Sequence, residues 1–412
     1  MAVLSALSVN GDRLMGWIDR LAKIGRLANG DICRLAFTAE DVQARYLVQQ
    51  WMMEAGMTVR TDAGGNIIGT YAGLREAPAL ATGSHIDTVP SGGAYDGVLG
   101  VLAGIEVVRT LHENHLRLQH PLEVIVFTDE ESSMVGARSM AGVVPRSPTE
   151  LKLREGLAIE SSLETLGGNW DTIGTAQRTR DHIAAFVELH VEQGAVLEHV
   201  GKAVGVVQGI VGMRRSKITI LGQANHAGTT PMDLRQDALV AAAQVVLAVR
   251  EIALGMPGSP VATVGSLTVL PNAANIVPGT VDLTVDMRDL SQACIDTMQE
   301  RLERELRAIA TATDTQISSE PLLNVAPSPA TPQVQAAITQ VCQHLGLSHY
   351  EMPSRAGHDA MEMGYITDMG MIFVPSQSGL SHSGHEYTAP KQCIQGANVL
   401  LHTIFRLDEI YS

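Results

Sequence analysis

Between Pro78 and Glu131 two apolar runs of strand length, PALATGSH and LEVIVFTDEE, flank one long stretch with helical spacing, DGVLGVLAGIEVVRTLHENH. That pattern confines the chain to an α/β sheet with helices on both faces. The alternation extends in both directions. MGWIDRLAKIGRL and TAEDVQARYLVQQWMMEAG predict helices, the second opening at a threonine cap with acids in its first turn. MTVRTD, NIIGTYAG and HIAAFVELHVEQG predict further strands.

Near GIVGMRR the pattern changes. Strand RRSKITILG, helix MDLRQDALVAAAQVVLAVREIAL and strands VATVGSLTVL and GTVDLTVDMRDL follow one another, then helix SQACIDTMQERLERELRAIATA and strand DTQISSEP. This β-α-β-β-α-β order is that of a small ferredoxin-like domain. The proline-rich link VAPSPATPQ returns the chain to α/β character, with helix PQVQAAITQVCQHLG and strand DMGMIFVPS. A chain of 412 residues suits two domains. The expected division is residues 1–212 and 325–412 for the larger domain and 213–324 for the insert, with hinges near Gly212 and Pro327.

The net charge of −15 makes nucleic acid and anionic membrane poor partners. Cys33, Cys294, Cys342 and Cys393 are far apart and make no CxxC pair, as in a reducing compartment. The opening MAVLSALSVNGDRL lacks the basic and apolar regions of a signal peptide. No apolar run reaches the roughly 18 residues that span a bilayer. A cytoplasmic location is expected.

The chemistry-bearing residues gather at strand ends. GSHIDTVPSGGAYDGVLG places His85, Asp87 and Asp96 in a glycine-rich loop after a strand. Asp87, two residues beyond His85 on the same side of an extended segment, can orient the imidazole. Asp129, Glu130 and Glu131 leave the next apolar strand together. Such crowding is unfavourable unless a cation is near. Neighbours on a strand point to opposite sides, so one glutamate can bind metal while the other acts as a base. ELHVEQG adds His190 and Gln193, and SHSGHE adds His382, His385 and Glu386. The alternative for any one of these is a solvated loop or a structural histidine; together they point to a metal centre. Imidazole and carboxylate without thiolate suit Zn²⁺, Mn²⁺ or Co²⁺.

GSHIDTV, AYDG, TDEE, ELHVEQG, GQANHAGTTPMDLRQDAL, PNAANIVPG, AGHDA and FVPSQSGLSHS resemble the amidase branch of the dinuclear-zinc aminoacylase/carboxypeptidase superfamily. That branch holds N-carbamoyl-L-amino acid hydrolases, β-ureidopropionases and allantoate amidohydrolases. The resemblance covers nearly the whole chain. It implies a mixed-sheet dinuclear metallohydrolase domain with an inserted lid and dimerisation domain. It implies two divalent ions held by His85, Asp96, Glu131, His190 and His382, with Asp96 bridging. It makes Glu130 the general base and His226 the group that polarises the scissile carbonyl, often from a partner subunit. Asn275 and Arg288 match positions that hold a substrate carboxylate, and Arg215, Gln193 and the backbone at Gly357 match further substrate contacts. A surface ion pair of Arg288 with Asp286 or Asp289 is the plainer alternative.

The implied reaction is hydrolysis of a linear ureido or amide C–N bond in a small substrate bearing a carboxylate, foremost an N-carbamoyl-L-amino acid. Allantoate is the alternative. An N-acyl amino acid hydrolase or dipeptidase and a non-catalytic binding protein are the remaining readings. The chain departs from the family where Ser132-Ser133-Met134 replaces Gly and then Arg-Phe, and His385 offers a second histidine beside His382. His358 and Asp359 are expected to shape the pocket rather than bind metal.

Overall fold

The computed structural model describes residues 7–151, 153 and 156–412. The first six residues of the opening stretch, on which the absence of a signal peptide was read, lie outside them. The chain forms two compact units, Met1–Gly209 with Ala330–Ser412, and Ile210–Pro329.

The larger unit is built on a mixed sheet. Its strands are β1 (Thr58–Thr61), β2 (Ile67–Tyr71), β3 (Ala79–His85), β4 (Leu122–Phe127), β5 (Ile183–Val191), β6 (Val204–Ile210), β7 (His349–Ser354) and β8 (Asp368–Val374). They lie in the order β1-β2-β4-β3-β5-β8-β6, with β7 also paired to β6. β4, β3, β5 and β8 are parallel to one another, and β1, β2 and β6 join antiparallel. Every residue of β3 and β4 is buried, as an unbroken apolar run requires of strands covered on both faces.

Helix Val98–Glu113 explains one covered face. Among its residues only Arg109, His112 and Glu113 escape burial. It lies close on the sheet because position 100 has no side chain: a Cβ at Gly100 would sit 2.3 Å from the Leu189 carbonyl oxygen. Helix Pro390–Tyr411 packs against Leu189 from the same side. Side chains alternate along β5, so Glu188 and His190 face the opposite side. There the short helix Asp359–Met363 covers the sheet, its Ala360 amide donating to Glu188 Oε2 at 2.9 Å. Helix Ala39–Glu54 begins where Thr38 accepts from the Asp41 amide.

The smaller unit has four antiparallel strands in the order Gln316–Val325, Gly212–Leu221, Thr280–Asp289, Val261–Leu270. Alternate residues Val281, Leu283, Val285 and Met287 point into one core with helices Ala238–Leu254 and Gln292–Thr313. The first helix starts later than its sequence pattern predicts. Asp237 caps the amides of Leu239 and Val240, and Met232–Leu234 forms a separate short turn. Among the described residues no helix is long and apolar enough to cross a membrane.

Candidate metal centre

Because β3, β4, β5 and β8 are parallel, their C-terminal ends open on one edge of the sheet, where α/β proteins build their sites. His85 ends β3 and His190 is the penultimate residue of β5. Asp96 lies in the loop after β3, Glu130 and Glu131 follow β4, and His382 follows β8.

Strand alternation does not separate Glu130 from Glu131, contrary to the expectation above. β4 ends at Phe127 and the acids occupy a turn. Asp129 adopts left-handed backbone, φ 57°, and its carboxylate turns away to accept the amide and hydroxyl of Ser133. Asp87 holds the turn, its carboxylate accepting the amides of Glu130 at 3.4 Å and Glu131 at 3.2 Å. The ring of His85 is oriented by the main-chain oxygen of Asp87, 3.0 Å from Nδ1, while the Asp87 carboxylate stands at 3.7 Å. Nδ1 of His190 likewise meets the Val191 carbonyl oxygen at 2.8 Å. A ring that donates from Nδ1 presents an Nε2 lone pair.

Asp96 is the centre of the arrangement. Its Oδ1 lies 3.1 Å from His190 Nε2 and 3.7 Å from His85 Nε2, and its Oδ2 lies 3.3 Å from His382 Nε2. His382 Nε2 is also 3.5 Å from Glu131 Oε2. Two ligand groups result, His85–Asp96–His190 and Asp96–Glu131–His382, each with donor atoms within 4.8 Å of one another. Glu130 Oε2 stands 3.8 Å from His85 Nε2. Gln193 donates to Asp96 Oδ2 at 2.9 Å, and its own buried Oε1 has no partner. His385 is exposed and belongs to neither group.

The electrostatics match this crowding. Burial pushes the Asp96 carboxyl up, but hydrogen bonds from His190, His382 and His85 hold it well below the usual range. Burial opposes charge on His190, yet its hydrogen bond to Asp96 lifts it to about 9, and a hydrogen bond to the other oxygen of the same carboxylate lifts His382 to about 9. Burial, then the carboxylates of Glu131, Asp87 and Asp96, raise Glu130 to about 8 against the pull of His85. His358, buried with its ring 4.5 Å from that of His190, is driven well below the ordinary histidine range, first by burial. The donor set fits divalent cations: presented imidazole nitrogens, a shared carboxylate whose ion-pair partners are all histidines, and an orphaned amide oxygen at the rim.

A cavity of about 220 Å³ lies over these groups, walled by Ser132, Met134, Ala356, Gly357 and His358. A larger one of about 470 Å³, in the smaller unit, contains none of the candidate residues.

The candidate residues of the smaller unit form two sets. Asn225–His226 pairs with Ile276–Val277, bringing His226 beside Asn275, whose carbonyl accepts the Ala227 amide at 2.9 Å. His226 Nδ1 accepts the amides of Gly228 and Thr229, so a neutral ring carries its proton on Nε2. Arg215 and Arg288 both grip Asp286, at 2.6 Å and 2.8 Å. These arginines lie near the far end of strand Thr280–Asp289 from Ile276, roughly 20 Å away at about 3.4 Å per residue.

Two further buried acids belong to the centre: Glu386, singled out in the sequence without a specific role, and Glu188, which the sequence expectations omit. Glu386 accepts the amides of Tyr95 and Asp96 at 2.8 and 3.0 Å, and Ser381 bridges it to Asp96. Glu188 accepts the Ser84 hydroxyl at 2.6 Å. A sequence signal for Glu188 exists: an acid inside an apolar strand, in phase with His190.

The sequence profile of Peptidase family M20/M25/M40 matches residues 81–406. The chain belongs to this family. An N-carbamoyl-L-amino acid amidohydrolase of Geobacillus stearothermophilus is 40% identical, over 97% of this chain and 99% of the relative. An allantoate amidohydrolase of Bacillus subtilis (strain 168) is 33% identical, over 95% and 96%. The crystal structure of an amidase of the hydantoinase/carbamoylase family from Burkholderia multivorans superposes with a TM-score of 0.91 at 36% identity, over 97% and 98% of the two chains.

Proposed function

We propose that this protein is a metal-dependent amidohydrolase that cleaves an N-carbamoyl-L-amino acid. The observation that carries the reading is the pair of ligand groups sharing Asp96, with Glu130 beside them in the same cavity. His85, Asp96 and His190 would hold one ion, and Asp96, Glu131 and His382 a second. Such ions, when bound, activate water and polarise a carbonyl.

Glu130 takes a proton from the attacking water and delivers it to the leaving nitrogen. The water oxygen bonds to the ureido carbon as the C–N bond to the amino acid breaks, and the released carbamate decomposes to carbon dioxide and ammonia. Asp87 fixes the backbone that carries Glu130. His226 offers Nε2–H to the carbonyl oxygen in the transition state. Asn275, Arg215, Arg288, Gln193 and the Gly357 backbone hold the substrate, a guanidinium being suited to its carboxylate.

Residues 213–324 serve in this reading as a ferredoxin-like lid and dimerisation domain. The element order of the smaller unit supports it. So does the separation between His226–Asn275 and Arg215–Arg288, which exceeds the length of a small substrate, so that one set would come from a second copy. The reading has no nucleic-acid or membrane partner and places the protein in the cytoplasm, in keeping with its free cysteines. Allantoate is the second reading, supported by the Bacillus subtilis relative.

The test is ammonia release by the Mn²⁺- or Co²⁺-loaded protein from N-carbamoyl-L-methionine and from allantoate. Turnover of the first supports the proposal. Turnover of allantoate alone moves the protein to the second reading, and silence on both with two ions bound rejects each.

A further inference from the structure

Glu188 takes no part in the reaction described above, yet it is wholly buried beneath the metal centre. It lies two residues before His190 on β5 and so on the same face. Its Oε1 accepts the hydroxyl of Ser84, the neighbour of His85, at 2.6 Å. Its Oε2 accepts the amide of Ala360, in the segment that carries Gly357 and His358, at 2.9 Å. One carboxylate oxygen lies within 4.8 Å of ring nitrogens of His190 and His358. Both oxygens are therefore acceptors already in use, which suits a group beside a metal rather than a ligand of it. Burial pushes its carboxyl up, and the imidazoles of His190 and His85 are the charged groups that chiefly pull it back.

A carboxylate removed from water without a cation is strongly unfavourable. An ion at His85–Asp96–His190 would receive two neutral imidazoles and only a share of one carboxylate. The ion at Asp96–Glu131–His382 would have a second carboxylate of its own. We propose that Glu188 is the outer counter-charge of the His85–Asp96–His190 ion, held in place by its contacts to Ser84 and Ala360. This rests on the two-ion reading above.

Glu188→Gln separates charge from shape. The amide oxygen can accept from Ala360 and the amide nitrogen can donate to the Ser84 oxygen, so both contacts survive and only the charge is lost. Metal-free protein is titrated with Co²⁺ by calorimetry and by the visible absorption of the bound ion. The expected result is about a tenfold or greater loss of affinity at one of two sites, as partners behind a ligand typically contribute. The Co²⁺ absorption of that site shifts, the other site changes less than about twofold, and the metal-free variant melts no lower than metal-free wild type. Ser84→Ala keeps the charge and drops one contact, and its loss at that site is expected to stay under about threefold. Wild-type affinity of Glu188→Gln at both sites, or a tenfold loss in Ser84→Ala, overturns the counter-charge. Wild-type protein that takes up fewer than two Co²⁺ rejects the two-ion reading, and with it the inference, whatever the variants do.

Discussion

Gly97 is the residue at which a single methyl group tests the metal centre. It follows Asp96 directly, has φ 66°, and its amide points at His190 Nε2 from 3.1 Å. A Cβ there would lie 2.5 Å from both Nε2 and Cδ2 of His85. Ordinary contact begins near 3.4 Å, so the ring must retreat by about 0.9 Å, against a tolerance of about 0.2 Å for metal–ligand distances. Its positive-φ backbone, with ψ −45°, adds of order 1–3 kcal/mol for a residue with a Cβ. Gly97→Ala is therefore expected to lose the ion at His85–Asp96–His190, with affinity down by at least about 10–100-fold, the range known for partners behind a ligand. The ion at Asp96–Glu131–His382 is retained more fully. Elemental analysis after dialysis against metal buffers reads both. Gly357→Ala is the control: it adds a methyl to the same cavity, but nothing lies within 4 Å of the new Cβ, so both ions stay. A Gly97→Ala protein that holds two ions with wild-type affinity refutes the placement of His85 as a ligand.

Glu130→Gln is expected to keep both ions and lose at least about 10²–10⁴-fold in kcat; a wild-type rate excludes Glu130 as the base. Arg288→Lys replaces a planar fork by a point charge and is expected to raise KM for a carbamoyl amino acid more than it lowers kcat; an unchanged KM leaves Arg288 a structural residue paired with Asp286. Stability of the metal-free protein is expected to fall as pH rises. His190 and His382, lifted to about 9, stabilise the fold below their ordinary value of about 6.5 and lose that contribution as pH passes 9. Glu130, lifted to about 8, and Asp129 and Glu386, lifted to about 7, act with the same sign from the ordinary carboxyl range up to those values. Cation binding strengthens over the same interval because its ligands must shed protons. The melting-temperature gap between Co²⁺-loaded and chelator-treated protein therefore widens from about pH 6 to about pH 9, and a gap that narrows contradicts the assignment.

The parallel core of the larger unit is legible because β3 and β4 are buried on both faces, which writes them as unbroken apolar runs. The crowded acids of TDEE are legible because an uncompensated cluster at a strand end is rare without a cation nearby. What local pattern hides is where a strand stops and what a distant residue does to a loop. The run LEVIVF passes straight into TDEE, so nothing in its periodicity marks Phe127 as the end of β4. Glu386 sits 290 residues from the Asp96 amide it accepts, and no periodicity carries information over that distance. Helix Pro390–Tyr411 and β6 went unpredicted; the helix has a broad buried face in the core rather than one narrow stripe.

The backbone of the centre shows why such a site escapes local rules. Asp129, Met134, Gln193 and His382 have φ of 57°, 55°, 58° and 52°, conformations that residues with a Cβ rarely take. Each costs of order 1–3 kcal/mol unless the surroundings over-determine it. Asp129 and Met134 are held by the hydrogen bonds of the turn itself, the Met134 amide donating to the Asp129 carbonyl at 2.7 Å. Gln193 and His382 converge on Asp96. Their strain is thus borne by contacts to a carboxylate that three imidazoles already surround. A conformation that local preference disfavours, maintained by polar groups aimed at one shared acid, is what preorganised metal ligation requires. It is also why Asp129, Gln193 and His382 could be picked out by residue type in the sequence but not by conformation.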